Sequence, residues 1–287
     1  MKICVITDDN AAFSKEEAKK LNLRIVRMPI IVNGETKFEG DNFTKDEFYK
    51  DLENNVDIST SQPAPGEILA LWDDVLKDYD QIIHIPMTSG LSEECNTAKM
   101  LAKDYEGKVF VVDNHRISVT LKSSVYDALK LIKEGYKAEE IKKILEDEGF
   151  ASSIYIMVDT LKYLKKGGRV TPAGALLGSA IHLKPILSIF GYKLDAYKKA
   201  IGTKKAKLLM IEAIKNDIEN KFKDIPKANL VFGMAYTHDY EEIKIFKSEM
   251  LKALKLKDKD VTVDELSLSI ATHIGPGSLA ITVSKKV

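Results

Sequence analysis

The chain has 287 residues, of which 45% are hydrophobic and 30% charged, with 43 Lys and Arg against 43 Asp and Glu. That length accommodates one large domain or two ordinary ones, since a single core stops growing near ~250 residues. Zero formal net charge argues against nucleic acid or an anionic membrane surface as the main partner, leaving at most transient membrane contact, and no run approaches the ~20 apolar residues of a membrane span.

The opening, MKICVITDDN, reaches acidic residues too soon for a secretory signal and points to the cytoplasm. Residues 3–7 read as a buried strand ending in Asp8-Asp9; Cys4 in it and the distant Cys95 match neither a disulfide framework nor a zinc site, and read as reduced, buried thiols. Ser14 caps a helix over 14–21 with Glu17 at capping-box spacing. A strand over 24–32 and a turn at Asn33-Gly34 follow, and Thr44 with Glu47 marks the next helix start. After a hydroxyl-rich loop over 59–66, a helix over 67–77 leads to a strand over 81–85. The run Met87-Thr88-Ser89-Gly90-Leu91-Ser92 opens a helix to about 105, followed by a strand over 109–112 and helices over 118–134 and 138–148. Short β-branched runs alternating with helices are the pattern of a largely parallel α/β sheet.

From about residue 153 the texture changes. Strands are expected over 154–158, 185–189, 193–198, 230–235, 261–266 and 279–283, with helices over 172–181, 204–221 and 240–254. Two strands meeting at Phe190-Gly191-Tyr192 make a hairpin, so this half reads as a mixed or antiparallel α+β layer. The expectation is an α/β protein of two domains: residues 1–152 with a mainly parallel, Rossmann-like sheet and flanking helices, and residues 153–287 with the mixed sheet.

Three clusters can carry chemistry. Thr60-Ser61-Gln62-Pro63 and Ser89-Gly90-Leu91-Ser92 both lead into a helix, where free N–H groups and the positive dipole end favour an anion; Thr60, Ser89 and Ser92 read equally well as ordinary caps. In Gly167-Gly168-Arg169-Val170-Thr171-Pro172 the paired glycines allow a tight turn that places Arg169. Only Arg24, Arg27, Arg116 and Arg169 are arginines among the 43 basic residues, and in so lysine-biased a chain each is a candidate for a task needing the guanidinium fork. His273 stands beside Gly275-Pro276-Gly277 between two late strands, either as a buried hydrogen-bonding residue or as a ligand for an anion. No Walker A loop, GxGxxG after a strand, GxSxG elbow or HExxH spacing occurs, so no catalytic residue, metal site or cofactor is assigned. The small, apolar helix over 173–181, with the strand after it, reads as core or as the wall of an apolar slot, and His182 beside it as a core histidine.

These motifs, with the Thr7-Asp8-Asp9 strand end, Val112-Asp113 and Lys184-Pro185-Ile186-Leu187, follow the order and approximate spacing of the DegV family, which the chain resembles from end to end. The resemblance implies a two-domain α/β protein that holds one long-chain fatty acid in a tunnel between the domains. FakB-type members deliver that acid to a separate ATP-dependent kinase, making acyl-phosphate for phospholipid synthesis without catalysis of their own. It implies that Thr60 and Ser92, with His273 nearby and Ser61 and Ser89 adjacent, hold the carboxylate. Arg169 then faces the carboxylate or the new phosphate, and Ala173, Leu176, Leu177, Ile181 and Ile186 line the tunnel. The rival readings are a small-molecule phosphotransferase or hydrolase using His273 and Arg169, and a lipid-sensing regulatory protein. The chain departs from the family in Glu93-Glu94 after Ser92, expected to point away from a ligand, and in the lysine-rich stretch 199–205, where members carry an arginine on the surface that meets the kinase.

Overall fold

The computed structural model describes residues 1–172 and 182–287. The first half builds a four-stranded parallel sheet in the order β2 (Arg24–Val26), β1 (Ile3–Asp8), β6 (Gln81–Ile85), β7 (Val109–Val111). Helices α1 (Lys15–Lys20), α2 (Lys45–Glu53), α3 (Pro65–Val75), α4 (Glu94–Leu101), α5 (Ser118–Lys133) and α6 (Ala138–Asp147) intersperse it. Both capping boxes form: Ser14 accepts from the Glu17 N–H and Thr44 from the Glu47 N–H, while each glutamate returns to its cap. Helix α3 starts two residues earlier than expected because Pro65 occupies its first turn, where a missing N–H costs no hydrogen bond.

The strand expected over 24–32 is two strands. It breaks at Arg27-Met28-Pro29, and β3 (Ile30–Val32) leaves the parallel sheet for a small antiparallel one in the order β4 (Glu35–Lys37), β3, β5 (Ile58–Thr60). Asn33 and Gly34, both at positive φ, turn β3 into β4. At the break Arg27 pairs with Asp9 and Asp41, and Met28 is turned inward.

The strands change sheet at Ser152. A six-stranded mixed sheet follows in the order β10 (Asp195–Ile201), β9 (Leu183–Ile189), β8 (Ser152–Met157), β13 (Leu279–Lys285), β11 (Leu230–Tyr236), β12 (Val261–Glu265). It is antiparallel except between β11 and β12. Helices α7 (Lys162–Gly167), α8 (Thr203–Glu219), α9 (Tyr240–Leu254) and α10 (Leu268–Ile274) are the described α-helices of this half. α10, which holds His273, lies between the last two expected strands, a stretch to which the sequence reading assigns no element. His182 is exposed at positive φ rather than a core histidine, and the helix expected over 172–181 lies almost wholly outside the described residues.

Strand alternation assigns each face of the large sheet. Tyr155, Met157, Ile186, Phe232, Met234, Ile281 and Val283 pack against α8 and α9. Ile154, Ile156, Leu187, Ile189, Ala235 and Ala280 face the other way and join Val5, Ile83, Ile85, Leu121 and Val125 in one continuous core. Helix α5 seals that core, packing against β1 of one sheet and β11 and β13 of the other. Cys4 and Cys95 are buried free thiols. No described helix is long and apolar enough to cross a membrane.

Candidate functional site

On the face of the large sheet that looks toward α5, small residues oppose one another: Gly233 pairs with Thr282, and Ala235 with Ala280. Their missing bulk leaves room between the two sheets, and a cavity of about 370 Å³ lies there, within the roughly 300–1,000 Å³ of ligand sites. Its wall is mostly apolar. Ile154, Ile156, Ile189 and Leu194 come from β8 and the β9–β10 hairpin, Met28, Met87 and Leu91 from the first half, and Ile270 and Ile274 from α10.

One end of the cavity is polar and reaches the surface, where Ser61 and Glu93 are exposed. Thr60 ends β5, which the small sheet holds in place. That sheet packs on the Leu268 and Ala271 face of α10, so the opposite face, carrying Ser269, Ile270, His273 and Ile274, meets the cavity. Thr60 Oγ1 and His273 Nε2 lie 2.7 Å apart, while His273 Nδ1 has no hydrogen-bond partner. Burial, and then the nearby Arg169 guanidinium, push the imidazole down to about 4, so the ring is neutral at pH 7. In the tautomer that carries the proton on Nε2, His273 donates to Thr60, and the Thr60 hydroxyl is free to donate into the cavity.

Gly167 makes this arrangement possible. A Cβ there would stand 2.1 Å from His273 Nδ1, so only glycine lets the end of α7 approach the ring. The chain then turns through Gly168, at φ +67, to Arg169, whose Nη1 donates to Gly167 O at 2.5 Å and whose Nε lies 3.4 Å from Leu91 O. The 88–92 segment is tied down by the Thr88 hydroxyl donating to Gly191 O. Gly90 permits that contact, because a Cβ there would meet Tyr192 Cα at 2.5 Å. Ser92 Oγ accepts from Glu94 N at 3.2 Å and keeps its own proton for another partner.

Thr60, Ser61, Ser92, Arg169 and His273 therefore converge on one end of the cavity. Ser89 does not join them: it is not among the residues lining the cavity, and its N–H is directed to Asp113. Ile186 is corrected as a wall residue, since it packs under the sheet against α8 and α9, and Ile189 takes that role. Ala173, Leu176, Leu177 and Ile181 lie outside the described residues. The two acidic departures diverge. Glu94 is fully buried away from the cavity, as expected, whereas Glu93 lines its exposed end, its carboxylate accepting from Asn96 Nδ2. Met28, Ser118 and Thr282 also line the cavity and have no motif to mark them, while Gln62 lines it from within the Thr60–Pro63 motif, where no role was assigned to it. Among the described residues, no three His, Cys, Asp or Glu side chains gather as metal ligands would.

Two sheets enclosing an apolar cavity, with hydroxyls, a neutral histidine and a guanidinium at its exposed end, define a class of α/β protein with an internal pocket for an apolar molecule bearing a polar or anionic head. A family model described as "Uncharacterised protein, DegV family" matches residues 2–286, and the chain belongs to the DegV family. It is 27% identical to a DegV domain-containing protein of Staphylococcus aureus over 282 residues, 98% of each chain. Among solved structures, the DegV family protein of Thermus thermophilus, described by its fatty acid binding, superposes with a TM-score of 0.89 at 26% identity, covering 99% of this chain and 100% of that one. The fatty acid binding DegV family protein of Streptococcus agalactiae gives 0.88 at 25% identity with both chains fully covered. DegV of Bacillus subtilis, described as a fatty acid binding protein, gives 0.81 at 28% identity, again with full coverage.

Proposed function

We propose that this protein binds one long-chain fatty acid, its chain in the cavity between the sheets and its carboxylate at Thr60, Ser92 and His273, and presents that carboxylate to a separate fatty-acid kinase. The observation that carries this reading is the joining of an apolar cavity to a hydroxyl–imidazole pair and an arginine at its exposed end. The fatty acid binding of the similar Thermus, Streptococcus and Bacillus proteins supports the same ligand class.

The energetics suit such a ligand. Burying the chain contributes roughly 0.8 kcal/mol per CH₂, so affinity comes from the dry wall while a few donors suffice for orientation. Thr60 and Ser92 each supply an O–H, and Arg169 supplies the local positive charge that already depresses His273. A head held where Ser61 and Glu93 are exposed can be reached by a second protein while the chain stays covered. As the carboxylate takes up a phosphoryl group, the Arg169 fork neutralises the added charge better than an ammonium would. On this reading the protein is a substrate carrier and the chemistry belongs to the kinase.

The test has two stages. Mass spectrometry of an organic extract of the purified protein is expected to show a co-purifying fatty acid, or titration with palmitate or oleate is expected to saturate at one equivalent; neither occurring would overturn the binding reading. Adding a fatty-acid kinase and ATP to the loaded protein is expected to yield acyl-phosphate, and none forming would remove the carrier role while leaving binding intact. The Thr60–His273 spacing is also that of a hydroxyl nucleophile and its base, so ester or ATP turnover by the isolated protein, lost in His273→Ala, would replace the carrier reading with an enzymatic one.

A further inference from the structure

The wall of the cavity is not uniformly apolar away from its exposed end. Ser118, the first residue of α5, lines it while being only 7% exposed, and its hydroxyl has no hydrogen-bond partner. It is also held at φ +57, a left-handed conformation that L residues seldom adopt. A buried hydroxyl left unpaired against apolar surface is unfavourable, and strained residues of this kind gather where a ligand is held.

Across from it stands Thr282, whose hydroxyl donates to Gly233 O at 3.2 Å and retains its acceptor lone pairs. Both line the cavity, and the residue after Ser118 packs beside Thr282: a Cβ on Gly233 would stand 2.9 Å from Thr282 Oγ1 and 3.0 Å from Val119 Cγ2. The first-turn N–H groups of the 16-residue helix α5 have no partners within the helix, and its positive dipole end lies at the same place. A ligand oxygen there accepts from Ser118, and a ligand hydroxyl also donates to Thr282.

The distance from the head region follows from the strand. Ser278 Oγ donates to Ile274 O and Gly275 O, which places it beside the His273 end of α10. From Ser278, just before β13, to Thr282 within it is roughly 13 Å at about 3.3 Å per residue, well down the path of an acyl chain whose carboxylate sits at Thr60.

We propose that Ser118 and Thr282 form a polar notch that makes the cavity selective for long-chain fatty acids carrying a hydroxyl or keto oxygen in mid-chain. This rests on the fatty-acid reading above and deepens it. The test is titration of the wild-type protein with stearic acid and with 2-hydroxy-, 10-hydroxy- and 12-hydroxystearic acid. A mid-chain isomer is expected to bind about tenfold more tightly than stearic acid, the scale of one well-made buried hydrogen bond. In Ser118→Ala that ratio is expected to fall to about one, and Thr282→Val, which keeps the side chain's shape, is expected to lower it in part; thermal melting checks that each variant is folded.

No isomer binding more tightly than stearic acid, or a ratio that survives in both folded variants, overturns the inference. So does an equal loss for all four acids in Ser118→Ala, which shows a hydroxyl that only supports the wall or a buried water. If none of the acids binds at all, the fatty-acid reading fails with it, an outcome distinct from tight binding with no preference.

Discussion

Thr60 carries two relationships at once, a 2.7 Å contact with His273 and a place on the cavity wall. Replacing it by valine keeps the shape and removes the hydroxyl. A hydrogen bond to a charged group contributes about 1.5–3 kcal/mol, so Thr60→Val is expected to weaken fatty-acid binding roughly ten- to 150-fold in calorimetric titration. The corresponding methyl ester, which carries no charge, is expected to lose much less; equal losses for acid and ester would assign Thr60 to the wall alone. Thr60, Ser92, Arg169 and His273 were all legible before the fold was known, because their motifs occur in a recognisable order along the chain. Ser89 was drawn in by adjacency, whereas its N–H is directed to Asp113 and it is not among the residues lining the cavity. Ser118 and Thr282 had no such signal, since one reads as an ordinary helix start and the other as one more β-branched strand residue.

At the scale of elements, the segment carrying Ser92 is anchored from below by buried ionisable side chains. Asp8, at the end of β1, accepts from Met87 N at 2.6 Å and Asn10 N at 2.8 Å, and Glu94 of α4 comes within 3.7 Å of His84 Nε2 in β6. All three side chains are fully buried. Burial raises Asp8 well above the carboxylate range, with the Glu94 charge adding to it, and pushes Glu94 up to about 8, while it depresses His84 to about 4. The signs are opposite. Between pH 6.5 and 4 the unfolded state takes up a proton that native His84 refuses, so that histidine costs stability as pH falls. Between pH 4.5 and 8 the native state retains a carboxyl proton on Glu94 that the unfolded state has lost, so that glutamate costs stability as pH rises; the two oppose each other below pH 6.5, and above it Glu94 acts alone of the two. Glu94→Gln fixes the neutral form, and its advantage over the wild type is expected to grow by about 1–2 kcal/mol from pH 6.5 to 8 in denaturant titrations; a constant difference would show that Glu94 does not titrate there. Elements with alternating or capped sequences were readable, whereas β9 was not fully so. Both its faces are buried, so its apolar run carries no alternation to say which side meets the cavity, and Ile186 was assigned to the wrong one. The short helix α10 escaped because Ser-Ile-Ala-Thr-His-Ile has little helical propensity and tertiary packing forms it.

Over the whole molecule, the chain is long enough to divide into two cores, and the strands do change sheet at Ser152, yet the apolar contacts do not divide there. Ile154, Ile156, Leu187 and Ile189 of the mixed sheet share one buried cluster with Val5, Ile83 and Ile85 of the parallel sheet, and α5 lies across both. The residues on either side of 152 thus serve the same core. Separating the sheets would expose that cluster and open the cavity, so neither half has an apolar surface it can leave in water. Thermal unfolding is therefore expected to be a single calorimetric transition, with agreement between calorimetric and van't Hoff enthalpies, and two resolved peaks would contradict a shared core. A ligand lodged between the sheets binds only when both are in place. A fatty acid at 100 times its Kd is expected to stabilise the fold by about 2.7 kcal/mol. At about 2–4 °C per kcal/mol for a chain of this order of size, that single transition is expected to move up by roughly 5–11 °C without splitting. A ligand that raised the temperature of only part of the transition would place its site within one sheet's own layer, rather than in the space the two sheets enclose together.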